Sequence, residues 1–347
     1  MMARTTIRDV ARDAGVSSAT VSYVVNGKES ETISPETISR VMRSVRKLGY
    51  IPNQAAKTLG SPRSGGKWRS NMIGVLIPQI RPGHEFMFSN PFYGDFLSAV
   101  EYSARVSGYH LLISGTEADQ SYTEIAKSRS LDGIIILGIF PALDLKEYRT
   151  LQIPTVLVDC YDTDHCFHSV GINDRHGGYM ATRFLLDKGH TRVAYVTGAK
   201  EEDGVNLLRL NGYQDALIEA GLPFDDALVF YGEVGYQYGI AAAQQIAHSG
   251  LGITSVFAAA DIIALGLLKG FQQAGVDVPG DMSLIGFDDI YMARLCNPAL
   301  TTVHQDIAAK GKTAAQIVIA AAQEPGMTKR EVRIPISITQ RDSVRQI

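Results

Sequence analysis

The sequence predicts an α/β protein with a small all-α head, and three observations carry that prediction. Near the N-terminus, short amphipathic segments follow one another across glycine turns with no strand-like run between them. From Met72 onward, short and nearly all-apolar runs alternate with longer helical stretches, the pattern of parallel strands covered on both faces. Charge divides at the same place. Residues 1–69 carry 12 Lys and Arg against 5 Asp and Glu, or +7, while the remainder carries 21 against 31, or -10, giving the net -3. A basic head on an acidic body is the electrostatic footprint of a nucleic-acid-binding module joined to something else.

With 347 residues the chain is too long for one compact core, so two or three domains are expected. No apolar run reaches the roughly 18 residues of a membrane span, and none is expected to cross one. The opening MMARTTIRDV lacks the apolar core of a signal peptide, which predicts a cytoplasmic protein. Cys160, Cys166 and Cys296 fit no metal spacing and are expected as reduced thiols, with no metal or cofactor. There is no GxSxG elbow, no GxxxxGK phosphate loop and no HExxH, since His84-Glu85 lacks the second histidine. An enzyme is therefore not expected, and no catalytic residue is assigned.

The head reads as three helices within residues 1–50. Thr6 can cap the first, with Asp9 three residues on as a capping-box partner, and Ile7, Val10, Ala11 and Ala14 form one apolar face. Gly15 ends it. Ser17 can cap the second, whose buried stripe is Val21, Val24 and Val25. The third has Ser34 as N-cap, Pro35 at the first helical position and Gly49 past its end, with Ile38, Val41, Met42, Val45 and Leu48 facing inward. Helix, glycine turn, helix and a supporting third helix make a helix-turn-helix arrangement, in which the second helix enters the major groove.

The stretch TIRDVARDAGVSSATVSYVVNG, followed by ISPETISRVMRSVRKLGYIPNQAAKTL, resembles the headpiece of the lactose-repressor (LacI/GalR) family of bacterial transcription regulators from Thr5 to Leu59. The resemblance implies that Ser18, Ala19 and Tyr23 take the base-reading positions. It implies phosphate contacts for Thr6, Ser17, Thr20, Ser22, Asn26 and Asn53, whose hydroxyls and amides can donate to phosphate oxygens. Tyr23 stands where many members carry Arg, which predicts a half-site unlike the family's commonest one.

Residues 51–70 are expected to form a hinge helix and linker. Gln54 to Leu59 is too short to be helical alone. The resemblance implies that it folds on operator DNA, with Ala56 and Leu59 at DNA-contacting positions and Leu59 as the minor-groove wedge. GSPRSGGKWRS then reads as a Gly/Ser-rich tether longer than is usual in the family.

In the body, residues 71–347, MIGVLIP, YHLLISG, DGIIILG and TVLVD read as strands, with Pro91 to Ser107 as a helix among them. The pattern restarts at RVAYVTG and continues through LVFYG, SVFAAA and MSLIGF. This is βαβ logic twice over, two doubly wound parallel lobes. NPFYGDF, RLNGYQDAL, ADIIALG, DVPGDMSLIGFDD and LTTVHQD continue the resemblance, which implies a periplasmic-binding-protein-like body crossed three times by the chain. The first lobe is expected over about 71–172 plus a return segment, the second over about 173–301, with the last return near Thr302.

Ligands of open α/β sheets sit at the carboxyl ends of the strands. The resemblance places effector contacts at Phe92, Tyr93, Asp159, Arg209 and Asp288, residue types that suit a carbohydrate. Asp261 and Asp289 read at least equally well as turn or cap residues. Departures from the family occur at Ala260, where an Asn is usual, at Val234, where an aromatic is common, and at Asn173-Asp174. The expected protein is a repressor that binds a palindromic double-stranded operator as a homodimer under the control of a small effector, most simply a sugar. With no leucine-heptad tail, dimers rather than tetramers are expected. A purine-like co-repressor or a protein partner is the second reading of the signal.

Overall fold

The computed structural model describes residues 5–25, 33–50, 69–78, 87–116, 122–138, 145–160, 165–200 and 204–347. The chain divides into two compact units, Met1–Ser70 and Asn71–Ile347. Asn26, Asn53, Ala56 and Leu59, the Gln54–Leu59 segment and most of the tether lie outside the described residues.

In the first unit, α1 (Ile7–Ala14), α2 (Ser18–Val25) and α3 (Pro35–Lys47) surround a small aliphatic core. Thr6 and Asp9 form the capping box: the Thr6 amide and hydroxyl donate to Asp9 Oδ2 at 2.9 and 2.7 Å. Gly15 takes φ +62, a left-handed conformation that lets the chain turn at once into α2. Ser17 Oγ accepts from the Thr20 amide at 3.0 Å, and Ser34 Oγ accepts from the Thr37 amide at 3.3 Å. Val10, Val21 and Val41 are completely buried and meet at the centre. Each contributes roughly 1.5–3 kcal/mol by leaving water. Val24, Val25, Val45 and Leu48 line the rim of this core. Ile38 does not join it and is 42 % exposed. Ile38 lies near the N-terminal end of α3, ahead of Val41, the first α3 side chain that reaches this core among the described residues.

The second unit holds two six-stranded sheets. The first is ordered β11-β5-β4-β3-β1-β2. Its strands are β1 (Met72–Pro78), β2 (His110–Thr116), β3 (Gly133–Leu137), β4 (Thr155–Val158), β5 (His168–Gly171) and β11 (Glu331–Arg333). The second is ordered β12-β10-β9-β8-β6-β7. It contains β6 (Val193–Thr197), β7 (Val229–Tyr231), β8 (Ser255–Ala258), β9 (Ser283–Asp288), β10 (Thr301–Gln305) and β12 (Ile336–Thr339). Every pairing is parallel except β10 with β12. The strands β3, β4, β6, β8 and β9 are buried along their whole length, as expected for sheets covered on both faces.

In the first lobe, α4 (Pro91–Val106) and α11 (Ile307–Gln323) pack together on one face of the sheet, with α5 (Tyr122–Ser128) and α6 (Leu145–Thr150) as its shorter helices. The second lobe pairs α7 (Asp174–Asp187) with α8 (Gly204–Glu219), and α9 (Tyr236–His248) with α10 (Asp261–Ala274). Glycines permit the closest approach. A Cβ on Gly178 would overlap the Arg209 carbonyl, and one on Gly212 would overlap the Arg175 carbonyl.

The chain crosses between lobes at Ile172–Asn173, at Asp306, and at Ile334–Pro335. The sequence expectation of a last return near Thr302 needs correction. Thr301–Gln305 is a strand of the second sheet, paired with β9, so that lobe continues beyond residue 301. The chain leaves it only where Asp306 caps α11, its Oδ1 accepting from the Ala309 amide at 2.7 Å. It then comes back a third time to add β12 as an antiparallel edge.

Candidate functional site

In the head, α2 is anchored through Val21 and turns its other side outward. Ala19 and Tyr23, one helical turn apart, share the exposed stripe, and the Tyr23 ring is 48 % exposed. Ser17 is exposed, while Ser18, Thr20 and Ser22 are half-buried along the same helix. Ser17 Oγ lies 2.9 Å from Thr20 Oγ1, so the two hydroxyls form a pair at the start of α2. Thr6 is exposed, but its hydroxyl proton is held by Asp9. The Thr6 hydrogen bonds, side-chain then backbone, keep the Asp9 carboxyl below its ordinary value and therefore ionised.

In the body, a chain of charged and polar groups spans the lobes at the carboxyl ends of the two sheets. Asp159 follows β4 at φ +53, and Asp288 ends β9 at φ +117. Between them stands Lys310, fully buried on α11. Its ammonium donates to both Asp159 oxygens at 2.7 and 2.8 Å and to Gln305 Oε1 at 2.5 Å. Gln305 Nε2 passes the chain on to Asp288 Oδ1 at 2.6 Å. Asp159 and Lys310 belong to the first lobe, Gln305 and Asp288 to the second, so the relay ties one lobe to the other.

Arg209, on α8, completes the group. Its Nε donates to Asp174 Oδ1 at 2.8 Å, its Nη1 donates to the Ala259 carbonyl at 2.6 Å, and its guanidinium lies 3.6 Å over the Phe287 ring. Phe92 and Tyr93 enter from the first turn of α4, where Asn90 caps the helix by accepting from the Phe92 amide at 3.1 Å. Their rings meet edge to face at 5.7 Å, and the Lys310 ammonium is 5.5 Å from the Phe92 ring.

Burial dominates the electrostatics. It pushes Asp288 up to about 6 against the opposing pull of Arg209. It also raises Asp159 despite Lys310. Burial, with the nearby charges of Asp159 and Asp288, lifts the Tyr93 hydroxyl to about 12. Such a set offers hydroxyl-binding carboxylates, a fixed guanidinium and two aromatic rings, which suits a small polyhydroxyl ligand. Among the described residues no group of three His, Cys, Asp or Glu side chains is placed to hold a metal, and no helix is long and apolar enough to cross a membrane.

Residues 6–53 match the family model described as bacterial regulatory proteins, lacI family, and residues 182–344 match that of a periplasmic binding protein-like domain. Catabolite control protein A of Priestia megaterium is 31% identical over 98% of this chain and 99% of its own length. The chain belongs to the lacI family of bacterial regulatory proteins. Among solved structures, the lac repressor dimer bound to operator and the anti-inducer ONPF superposes with a TM-score of 0.82 at 25% identity, over 99% of this chain and 100% of that one. A LacI family transcriptional regulator from Enterococcus faecium with bound ribose does so with a TM-score of 0.70 at 26% identity, over 80% of this chain and 99% of that one. A lacI-family chain of this kind is a DNA-binding regulator of transcription rather than an enzyme.

Within this lacI-family body the five side chains expected at the effector site, Phe92, Tyr93, Asp159, Arg209 and Asp288, are brought together. Asp261 and Asp289 are used internally. Asp261 accepts from Thr302 Oγ1 at 2.7 Å and from the Ile290 amide at 3.0 Å. Asp289 holds Arg341 at 2.5 Å and lies 2.9 Å from His304 Nδ1. Sequence reasoning missed Lys310, Gln305 and Asp174. Lys310 carried a signal: it falls in the apolar stripe of IAAKGKTAAQIV, one turn after Ile307 and one turn before Ala314, where a solvated lysine does not belong.

Proposed function

We propose that this protein is a dimeric, operator-binding transcriptional repressor controlled by a small carbohydrate bound between the two lobes of its body. The observation that carries the reading is the convergence of Asp159, Asp288 and Arg209 with Phe92 and Tyr93 at the carboxyl ends of both sheets. The ribose in the Enterococcus faecium regulator and the operator DNA on the lac repressor dimer support the same reading.

On the DNA side, Ser18, Ala19 and Tyr23 read bases from α2. Thr6, Ser17, Thr20, Ser22, Asn26 and Asn53 hold phosphates, Thr6 after its hydroxyl turns from Asp9. Ala56 and Leu59 contact the minor groove at the centre of the site. Two heads on a two-fold axis require a palindromic site. In the body, the carboxylates accept from sugar hydroxyls, Arg209 donates to ring or hydroxyl oxygens, and the two rings close one wall. A ligand that prefers one lobe angle shifts the population of that arrangement and so changes how the heads meet the half-sites.

The test is a thermal-shift screen of the whole protein with pentoses, hexoses, purines and nucleotides. A ligand at a hundred times its Kd stabilises by about 2.7 kcal/mol. Arg209→Ala is expected to abolish the response to the sugar while leaving operator affinity in place. A purine that stabilises where no sugar does, or an Arg209→Ala variant with an unchanged sugar response, would reject the carbohydrate assignment.

A further inference from the structure

Beside this cluster, and sharing Asp159 with it, the β4–β5–β11 edge carries a cavity of about 350 Å³. Phe167 lies at its floor over the fully buried Leu157, and Lys329, Arg330, Arg333 and His165 line it together with the acidic Glu331 and Asp159. The cations are only partly balanced. Glu331 Oε1 accepts from Arg333 Nε at 3.1 Å and from its Nη2 at 2.5 Å, Glu331 approaches His165 Nδ1 at 3.6 Å, and Asp159 is already held by Lys310. Neither the Lys329 ammonium nor the Arg330 guanidinium has an ion-pair partner among the described residues. Their field reaches the neighbouring strand: after burial, Lys329 and Arg330 are the causes that hold His168 down to about 4.

We propose that this cavity binds a small organic phosphate monoester, with the organic part against Phe167 and the phosphate between Lys329, Arg330 and Arg333. Guanidinium forks match phosphate oxygens two at a time, and an ammonium adds a point charge. The site lies at the lobe hinge. β5 runs directly into the first crossover at Ile172, and β11 runs into the third at Ile334. Arg333 Nη1 donates to the Ile172 carbonyl at 3.1 Å and so clamps the two crossover strands together. A phosphate drawing on Arg333 competes for that clamp. The ligand is thereby a second signal, distinct in charge from the one in the cleft, at a cavity that adjoins the cleft at Asp159.

Calorimetry of the full chain with phenyl phosphate, inorganic phosphate and benzyl alcohol tests this. Phenyl phosphate is expected to bind at least tenfold more tightly than inorganic phosphate, benzyl alcohol is expected not to bind, and binding is expected to weaken as salt is raised. Lys329→Ala/Arg330→Ala should weaken phenyl phosphate at least tenfold. Both side chains are exposed, so the variant should unfold at the wild-type temperature. Arg209→Ala should leave this binding unchanged. No binding of phenyl phosphate at millimolar concentration, equal binding of inorganic phosphate, an unaffected double variant, or loss in Arg209→Ala each overturns the proposal.

Discussion

Replacing Lys310 by methionine is expected to destabilise the body by about 3–5 kcal/mol at pH 7. All three ammonium protons of this fully buried side chain are engaged, two by Asp159 and one by Gln305. Methionine follows the same unbranched path and fills the space beside Phe92, so the change is electrostatic rather than steric. Asp159 is left 8 % exposed without the cation that hydrogen-bonds it. Its least costly escape is to take up a proton. Holding a carboxyl of ordinary value 3.8 in its neutral form costs roughly 1.4 kcal/mol per pH unit above that value, or about 4 kcal/mol at pH 7. In the variant the folded state then binds a proton that the unfolded chain does not. The deficit is therefore largest at neutral pH and shrinks as the pH falls toward 4. Urea unfolding of both proteins at pH 7, 6 and 5 measures it. A deficit below about 1 kcal/mol at pH 7, or one that does not change with pH, would refute the reasoning, because Asp159 would then not be a buried anion dependent on Lys310. Adding Asp159→Asn to the variant should recover most of the loss.

Three further outcomes are expected. His168 is held down to about 4 in the folded chain against an ordinary 6.5, so its share of stability is present above pH 6.5 and is lost as the pH falls through that window. His168→Asn, which keeps an acceptor for the Arg330 amide, should remove on the order of 3 kcal/mol of acid sensitivity between pH 7 and 4, read from unfolding curves at each pH. Asp288, raised to about 6, acts with the opposite sign and stabilises the fold as the pH falls from 6 toward 4, so it should remain visible in that variant. Gly212→Ala should cost about 1–3 kcal/mol and weaken the effector response, because the new methyl meets the Arg175 carbonyl and pushes α8, which carries Arg209, away from α7. Ala at Gly94, where nothing lies within 4 Å, is the control and should be neutral or stabilising by up to about 1 kcal/mol. Tyr23→Ala should change stability by less than about 0.5 kcal/mol yet alter the half-sites recovered from a random operator pool, and recovery of the same half-sites would remove Tyr23 from base reading.

Local signals were legible wherever their physics is local. The capping box at Thr6 and Asp9, the glycine turn at Gly15 and the Ser34-Pro35 start are each written within four residues, and each is formed as read. Fully buried strands such as Gly133–Leu137 announce themselves as apolar runs. The edge strand Glu331–Arg333 has alternating exposure and three residues, too few to stand out from a loop. Ile38 lies on the face that periodicity marks as apolar yet is 42 % exposed, because periodicity reports which face a residue occupies and not how closely a neighbour covers it. Thr301–Gln305 joins the second sheet rather than marking the return to the first, because a strand's pairing partner is not encoded in its own composition.

By itself, then, the sequence determined the basic three-helix head, the two α/β lobes and the membership in a regulator family, since these rest on patterns that repeat within a few residues. The tertiary structure alone decided that Lys310 stands between Asp159 and Gln305, and that Gln305 reaches Asp288. Asp159 and Lys310 are 151 positions apart, and their meeting depends on the chain leaving the second sheet at Asp306 and laying α11 back on the first. Charge pairs across such distances form only when the packing of distant segments into one core fixes their positions, and no local pattern records that geometry.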